Sequence, residues 1–288
     1  MPPNRVNGQH AATIRRMSPL LLVVLIAATA SAFAWFASLV SKDTSWVDRL
    51  WSIVPVMYVW VFTISAGMQD TRLNVIAVLV TIWGARLTFN FARKGGYTGV
   101  EDYRWAVLRA RMTGWQFQLF NLFFIVIYQM ALILLMTLGA WTAYEHQGTP
   151  FGLLDVLLTI AFIGCLVGET VADQQQWVFH RAKHAGGANF RPRFLTTGLF
   201  RFSRHPNYFF EQAQWWLVFG FGAVAAGSVL QWTVVGPFLL SLLFIGSTVF
   251  TEWITKGKYP EYADYQAVTS PIVPWFPRRP HVQAPAAA

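Results

Sequence analysis

The groups most capable of chemistry crowd into one stretch, residues 169–211. Glu169, Asp173, Gln176 and His180 fall at i, i+4, i+7 and i+11, which lines them along one face of a helix. A basic loop follows, with Arg181, Lys183, Arg191, Arg193, Arg201 and Arg204, and no Asp or Glu lies between Asp173 and Glu211. The stretch closes on Arg204-His205-Pro206-Asn207-Tyr208-Phe209-Phe210-Glu211 and enters another apolar run. Carboxylates and amides accept hydrogen bonds from ribose hydroxyls or from an amide, and arginine binds phosphate through paired N–H groups. Pro206 suits the first position of a helix, where its missing N–H costs nothing. Arg204 and His205 then stand at a helix start, where free backbone N–H groups favour an anion. Asn207, Glu211 and Gln214 again share one helical face. A cationic loop between two polar-ended apolar helices suits a large, phosphate-bearing cofactor. The plainer alternatives are a polar stripe on a helix end emerging into water, and positive loop charge against lipid headgroups.

The elements that must position these groups are membrane helices. The chain has 288 residues, 55% hydrophobic and only 12% charged, where an ordinary soluble domain carries about 25% charged residues. Repeated apolar runs of about 20 residues are each long enough to cross a bilayer. About seven spans are predicted, over 19–40, 51–67, 73–91, 115–141, from 153 past 173, 208–225 and 230–250. The chain is thus predicted to be an all-α polytopic integral membrane protein. Residues 19–277 read as one membrane domain, with 19–141 on the substrate side and 153–277 as the cofactor half, while 1–18 and 278–288 read as disordered ends. The loops 92–114 and 180–207 and the tail are all rich in Lys and Arg, which places them, the C-terminus and the cofactor site on the cytoplasmic side. The N-terminus then lies outside, against the pull of Arg5, Arg15 and Arg16. The net charge of +9 is read as this loop bias and not as nucleic-acid binding. The lone Cys165 excludes an intrachain disulfide. No His and Cys set with metal-ligand spacing is visible. The 14 Trp and 24 Phe read as interfacial belts and lipid-facing bulk.

The segment from Arg204 to Tyr208 with Glu211, preceded by Gly198-Leu199-Phe200, resembles the cofactor motif of the steroid 5-alpha-reductase and sterol-reductase membrane family. Glu169-Thr170-Val171-Ala172-Asp173-Gln174 and the tail from Glu252 through Lys258-Tyr259-Pro260-Glu261-Tyr262 to Pro274 resemble it too. The N-terminal half is similar to its less-characterised bacterial branch, through Ser45-Trp46-Val47-Asp48-Arg49-Leu50-Trp51, Trp83-Gly84-Ala85-Arg86-Leu87 and Glu101-Asp102-Tyr103-Arg104-Trp105. The resemblance implies a bacterial inner-membrane reductase that uses NADPH on a C=C bond of a lipophilic, steroid-like or isoprenoid-like substrate. It implies cofactor contacts from Glu169, Asp173, Arg204, His205, Asn207, Tyr208, Glu211 and Tyr262, and the arginine surplus adds Arg181 and Arg201 as phosphate partners. Where the family commonly has glycine before the final glutamate, this chain has Phe210. The likeness extends to isoprenylcysteine carboxyl methyltransferases, which use S-adenosylmethionine; a non-catalytic lipid-binding protein on the same scaffold is a third reading. On the substrate side Asp48, Tyr58 and Arg86 are the candidates to polarise a carbonyl, with no Glu inside spans one to four to transfer steroid specificity.

Overall fold

The computed structural model describes residues 17–278. Arg5, Arg15 and Arg16, and nearly all of the two ends predicted to be disordered, lie outside the described residues. The helices are α1 (Pro19–Ser41), α2 (Trp46–Trp51), α3 (Val54–Ser65), α4 (Thr71–Arg93), α5 (Tyr103–Arg109), α6 (Gly114–Phe120), α7 (Gln129–Met136), α8 (Leu138–Glu145), α9 (Leu153–Gly186), α10 (Pro206–Ala226), α11 (Val235–Lys258) and α12 (Tyr262–Val268). A π-helical segment, Asn121–Tyr128, joins α6 to α7. Among the described residues there is no β-strand, and Ser203 and Ser270 form an isolated bridge. The architecture is all-α and polytopic, as an integral membrane protein requires when every backbone polar group must be satisfied in lipid.

Among the described residues six helical stretches are long and apolar enough to cross a membrane, Pro19–Ser41, Trp46–Ser65, Thr71–Arg93, Gly114–Glu145, Leu153–Gly186 and Trp232–Lys258. The sixth predicted span, 208–225, forms as α10, yet it is not among the six. Asn207, Glu211, Gln212 and Gln214 make its first half too polar. Two further differences follow from missing breakers. The second span begins at Trp46, because α2 and α3 are nearly continuous. The fifth runs on to Gly186, so Arg181 and Lys183 lie on helix and not in the predicted loop. No Gly or Pro stands between Gly168 and Gly186, and the helix stops where Gly187 takes a φ of +60°. The predicted 92–114 loop likewise contains α5.

The chain divides into two compact units, one of residues 1–158 and 218–236, the other of 159–217 and 237–288. Residues 153–158 and 218–236 thus group with the N-terminal helices, unlike the predicted halves of 19–141 and 153–277. In the first unit, Asp70 caps α4 by accepting from Leu73 N at 2.9 Å, and its other oxygen accepts from Gly148 N at 2.9 Å. Arg72 is buried and grips Asp155 with two bonds, Nε–Oδ1 at 2.6 Å and Nη2–Oδ2 at 2.9 Å. The same guanidinium donates to Thr149 Oγ1 at 2.6 Å and the Pro150 carbonyl at 2.9 Å. A buried pair persists when its remaining donors are also satisfied. Small residues let backbones touch. A Cβ added at Gly139 would stand 2.5 Å from the Val218 carbonyl, and Gly222 and Gly236 are closed off by the carbonyls of Gly139 and Leu135. Between α4 and α5, Glu101 accepts from Thr44 N at 3.0 Å and pairs with Arg109 at 2.8 Å. Partial burial pushes its carboxyl up, but the bonds from Arg109 and Thr44 outweigh that and hold it below the usual range.

Candidate functional site

The second unit brings four carboxylates out of water. Glu169 and Asp173 on α9, Glu211 on α10 and Glu252 on α11 are each only 4–6% exposed. Gln214 is fully buried, and its Nε2 donates to Glu169 Oε2 at 2.7 Å and to the Phe210 carbonyl at 3.1 Å. Trp215 Nε1 donates to Glu211 Oε1 at 3.2 Å. The Phe210 ring is seated on Gly168, where a Cβ would stand 2.5 Å from the ring, so the bulk that replaces the family's glycine is accommodated by a glycine on α9. Packing of α10 on α11 runs through Trp216 Nε1 to Ser241 Oγ at 3.1 Å and the Tyr208 and Phe244 rings at 4.7 Å. Thr248 lies one turn from Phe244 and one from Glu252 on the same face of α11.

Several polar atoms here are buried without a protein partner: Asn207 Oδ1, Gln214 Oε1, Thr248 Oγ1 and Thr251 Oγ1. Native proteins leave few such groups, and each calls for an explanation such as a bound molecule. Asn207, Glu211 and Gln214 share one face of α10, as their spacing predicts. Glu169 meets that face directly, through its bond to Gln214.

Glu252 organises a second group. Arg204 donates to it twice, Nε to Oε1 at 2.6 Å and Nη2 to Oε2 at 2.9 Å. His205 Nε2 lies 3.1 Å from Oε1, Gln266 Nε2 donates to Oε2 at 2.8 Å and the Tyr262 hydroxyl donates to Oε1 at 3.4 Å. Arg204 Nη1 is further taken by the carbonyls of Gln266 and Thr269. The backbone N–H groups of Arg204 and His205 donate to the Ser270 and Pro271 carbonyls, at 2.8 Å and 3.1 Å. The start of α10 is therefore held by the C-terminal segment, with Arg204, His205 and Tyr262 turned onto one carboxylate. Burial pushes the phenols of Tyr262 and Tyr265 up, Glu252 adds to this at Tyr262, and both remain donors. The central place of Glu252 is not evident from local spacing, because its partners lie 10–48 positions away.

Of the other predicted residues, Tyr208 adjoins this group and the rest are placed elsewhere. Tyr208 stacks on His205 with ring centres 5.1 Å apart. Arg201 is exposed and lines an open cleft of about 650 Å³ with Thr196, Asp264, Tyr265 and Thr269. Arg181 is exposed on α9, in a shallow groove. In the first unit Asp48, Tyr58 and Arg86 sit on α2, α3 and α4. Asp48 lies within electrostatic reach of Asp102 and Arg104. Tyr58 is fully enclosed and its hydroxyl has no protein partner. Arg86 is half-buried. Among the described residues no cluster of His, Cys, Asp and Glu could hold a metal ion.

Helical stretches long and apolar enough to cross a membrane define an integral membrane protein, and a buried polar cluster joins α9, α10 and α11. The chain belongs to the family described as "Protein of unknown function (DUF1295)", which it matches over residues 34–269. It is 36% identical over 279 residues to an uncharacterised protein of the fission yeast Schizosaccharomyces pombe, a match covering 91% of this chain and 80% of that protein. No solved structure matches the chain.

Proposed function

We propose that the protein is a membrane reductase that takes NADPH and reduces a C=C bond of a lipophilic, steroid-like or isoprenoid-like substrate. One observation carries this reading. Asn207 Oδ1 and Gln214 Oε1, on the face of α10 that also carries Glu211, are acceptors buried without a protein partner. Ribose hydroxyls and a carboxamide NH₂ are donors of the kind these atoms lack. The exposed Arg201 suits the phosphates, since arginine binds phosphate bidentately. When bound, NADPH supplies a hydride. The protein's own part is to fix the sugar and amide through Asn207, Glu211 and Gln214, and to hold α10 in place through Glu252. Tyr58 is the candidate to polarise a substrate carbonyl, being a buried hydroxyl with no other partner. Under this reading, which takes the membrane to be a bacterial inner membrane, the Lys- and Arg-rich loops favour a cytoplasmic site and C-terminus.

One observation favours a second reading, methyl transfer from S-adenosylmethionine. Arg204 is consumed by Glu252, which removes one cation from the phosphate side, while buried carboxylates suit a sulfonium or an ammonium group as paired charge. Turnover separates the two. Purified protein with an α,β-unsaturated sterol or isoprenoid ketone should consume NADPH. The Tyr58→Phe variant should lose about 10²-fold or more in kcat, the low end of what a positioned proton donor contributes. Methylation of a prenylated thiol acid, with no NADPH consumed by any enone, would replace the first reading by the second.

A further inference from the structure

We propose that the outward groove on the C-terminal part of α9 binds the phosphate headgroup of an anionic membrane phospholipid, with Arg181 as the phosphate partner. Arg181 is thereby assigned to lipid, independently of what the internal site takes. The first argument is length. α9 has 34 residues, about 51 Å at ~1.5 Å per residue, against a hydrocarbon core of about 30 Å. Apart from Val178, which lines the groove itself, its large exposed apolar residues run from Leu153 through Leu157, Ile160, Ile163 and Val167 to Val171. That is about 27 Å of helix, close to one bilayer core. The groove starts at the next turn, so it lies at headgroup depth.

The second argument is composition. The groove, about 370 Å³, is lined by Gln174, Trp177, Val178, Arg181, Ala182 and Ala185. All six belong to one helix face and none is acidic. Trp177 is half-buried and Arg181 exposed, the pairing of an interfacial aromatic ring with a cation that membrane surfaces favour. Two small alanines leave the room that a headgroup needs. The third argument is direction. At 100° per residue Arg181 lies about 100° around the helix from the Glu169 and Asp173 stripe, which is buried. A side chain at that angle projects from the flank of the helix and not from the acidic stripe, and the sequence offers no carboxylate between Asp173 and Glu211.

The test is lipid retention by the full-length protein, measured by native mass spectrometry after equilibration with phosphatidylglycerol or phosphatidylcholine. Wild type should retain phosphatidylglycerol preferentially. Arg181→Gln should weaken that preference about fivefold, the equivalent of the ~1 kcal/mol that one cation contributes near an anionic surface. Arg181→Lys should keep most of it. Ala182→Asp, which leaves Arg181 in place but adds a repelling charge in the groove, should weaken it as Arg181→Gln does. Equal retention of the two lipids by wild type, or unchanged retention in Arg181→Gln and Ala182→Asp, would overturn the proposal. The readout needs no cofactor, so it stands or falls apart from the reductase reading.

Discussion

Arg204 and Glu211 sit seven residues apart, yet they differ in what holds them. Arg204 spends its guanidinium on Glu252 and on two carbonyls, and both members of the pair are 8% exposed. Removing one partner of a buried pair leaves an uncompensated charge, at about 3–5 kcal/mol. Arg204→Met should therefore lower the unfolding temperature sharply in detergent. Arg204→Met with Glu252→Leu should recover only part of the loss, because His205, Gln266 and Tyr262 then lose their acceptor. A single variant as stable as wild type would show that the pair contributes nothing. Motif reading assigns Arg204, His205 and Tyr262 to a ligand; the geometry turns them toward Glu252. Spacing could not reveal this, since it reports neighbours on one helix and these bonds join distant segments.

At the scale of elements, the sequence made most helices legible through apolar runs and caps. Pro206 opens α10 as its fixed φ predicts, and Asn207, Glu211 and Gln214 share a face as their spacing requires. Two kinds of feature were hidden. The basic composition of residues 181–185 reads as loop, but helix needs only the absence of a breaker, and none occurs before Gly186. The Arg72 pair with Asp155 spans 83 positions, so local spacing gives no sign of it. Glycine meaning was equally hidden. Gly139 and Gly164 are both helical, but a Cβ at Gly139 meets backbone at 2.5 Å, whereas one at Gly164 meets nothing within 4 Å. Opposite signs should follow. Gly139→Ala should destabilise by about 1–3 kcal/mol through overpacking. Gly164→Ala should stabilise by about 0.5–1 kcal/mol through helix entropy. Thermal unfolding of both in one detergent checks this, and a stabilised Gly139→Ala would refute the close approach of the backbones.

For the whole molecule, the consequential question is which side of the membrane the buried acids open toward. Charge bias argues for the cytoplasm at the 92–114 loop, the 180–207 segment and the tail. Reporter fusions after residues 110, 190 and 280 should all report that side. A split among them would break the proposed topology. The count of spans bears on this. Six stretches qualify by length and apolarity, and α10 adds a seventh crossing only if its polar first half is shielded by α9 and α11. The Gln214 bond to Glu169 supplies part of that shielding.

The central claim is that the buried acceptors of α9 and α10 hold a nicotinamide dinucleotide. Calorimetric titration of the purified protein with NADPH, NADH and S-adenosylmethionine tests it most directly, with Glu211→Gln beside wild type. NADPH should bind saturably and more tightly than NADH, because arginine recognises the extra phosphate. Glu211→Gln should weaken NADPH about 10- to 150-fold, the 1.5–3 kcal/mol of a hydrogen bond to a charged group, with an unchanged yield of folded protein. Saturable binding of S-adenosylmethionine alone, or equal NADPH affinity in wild type and Glu211→Gln, would contradict the account.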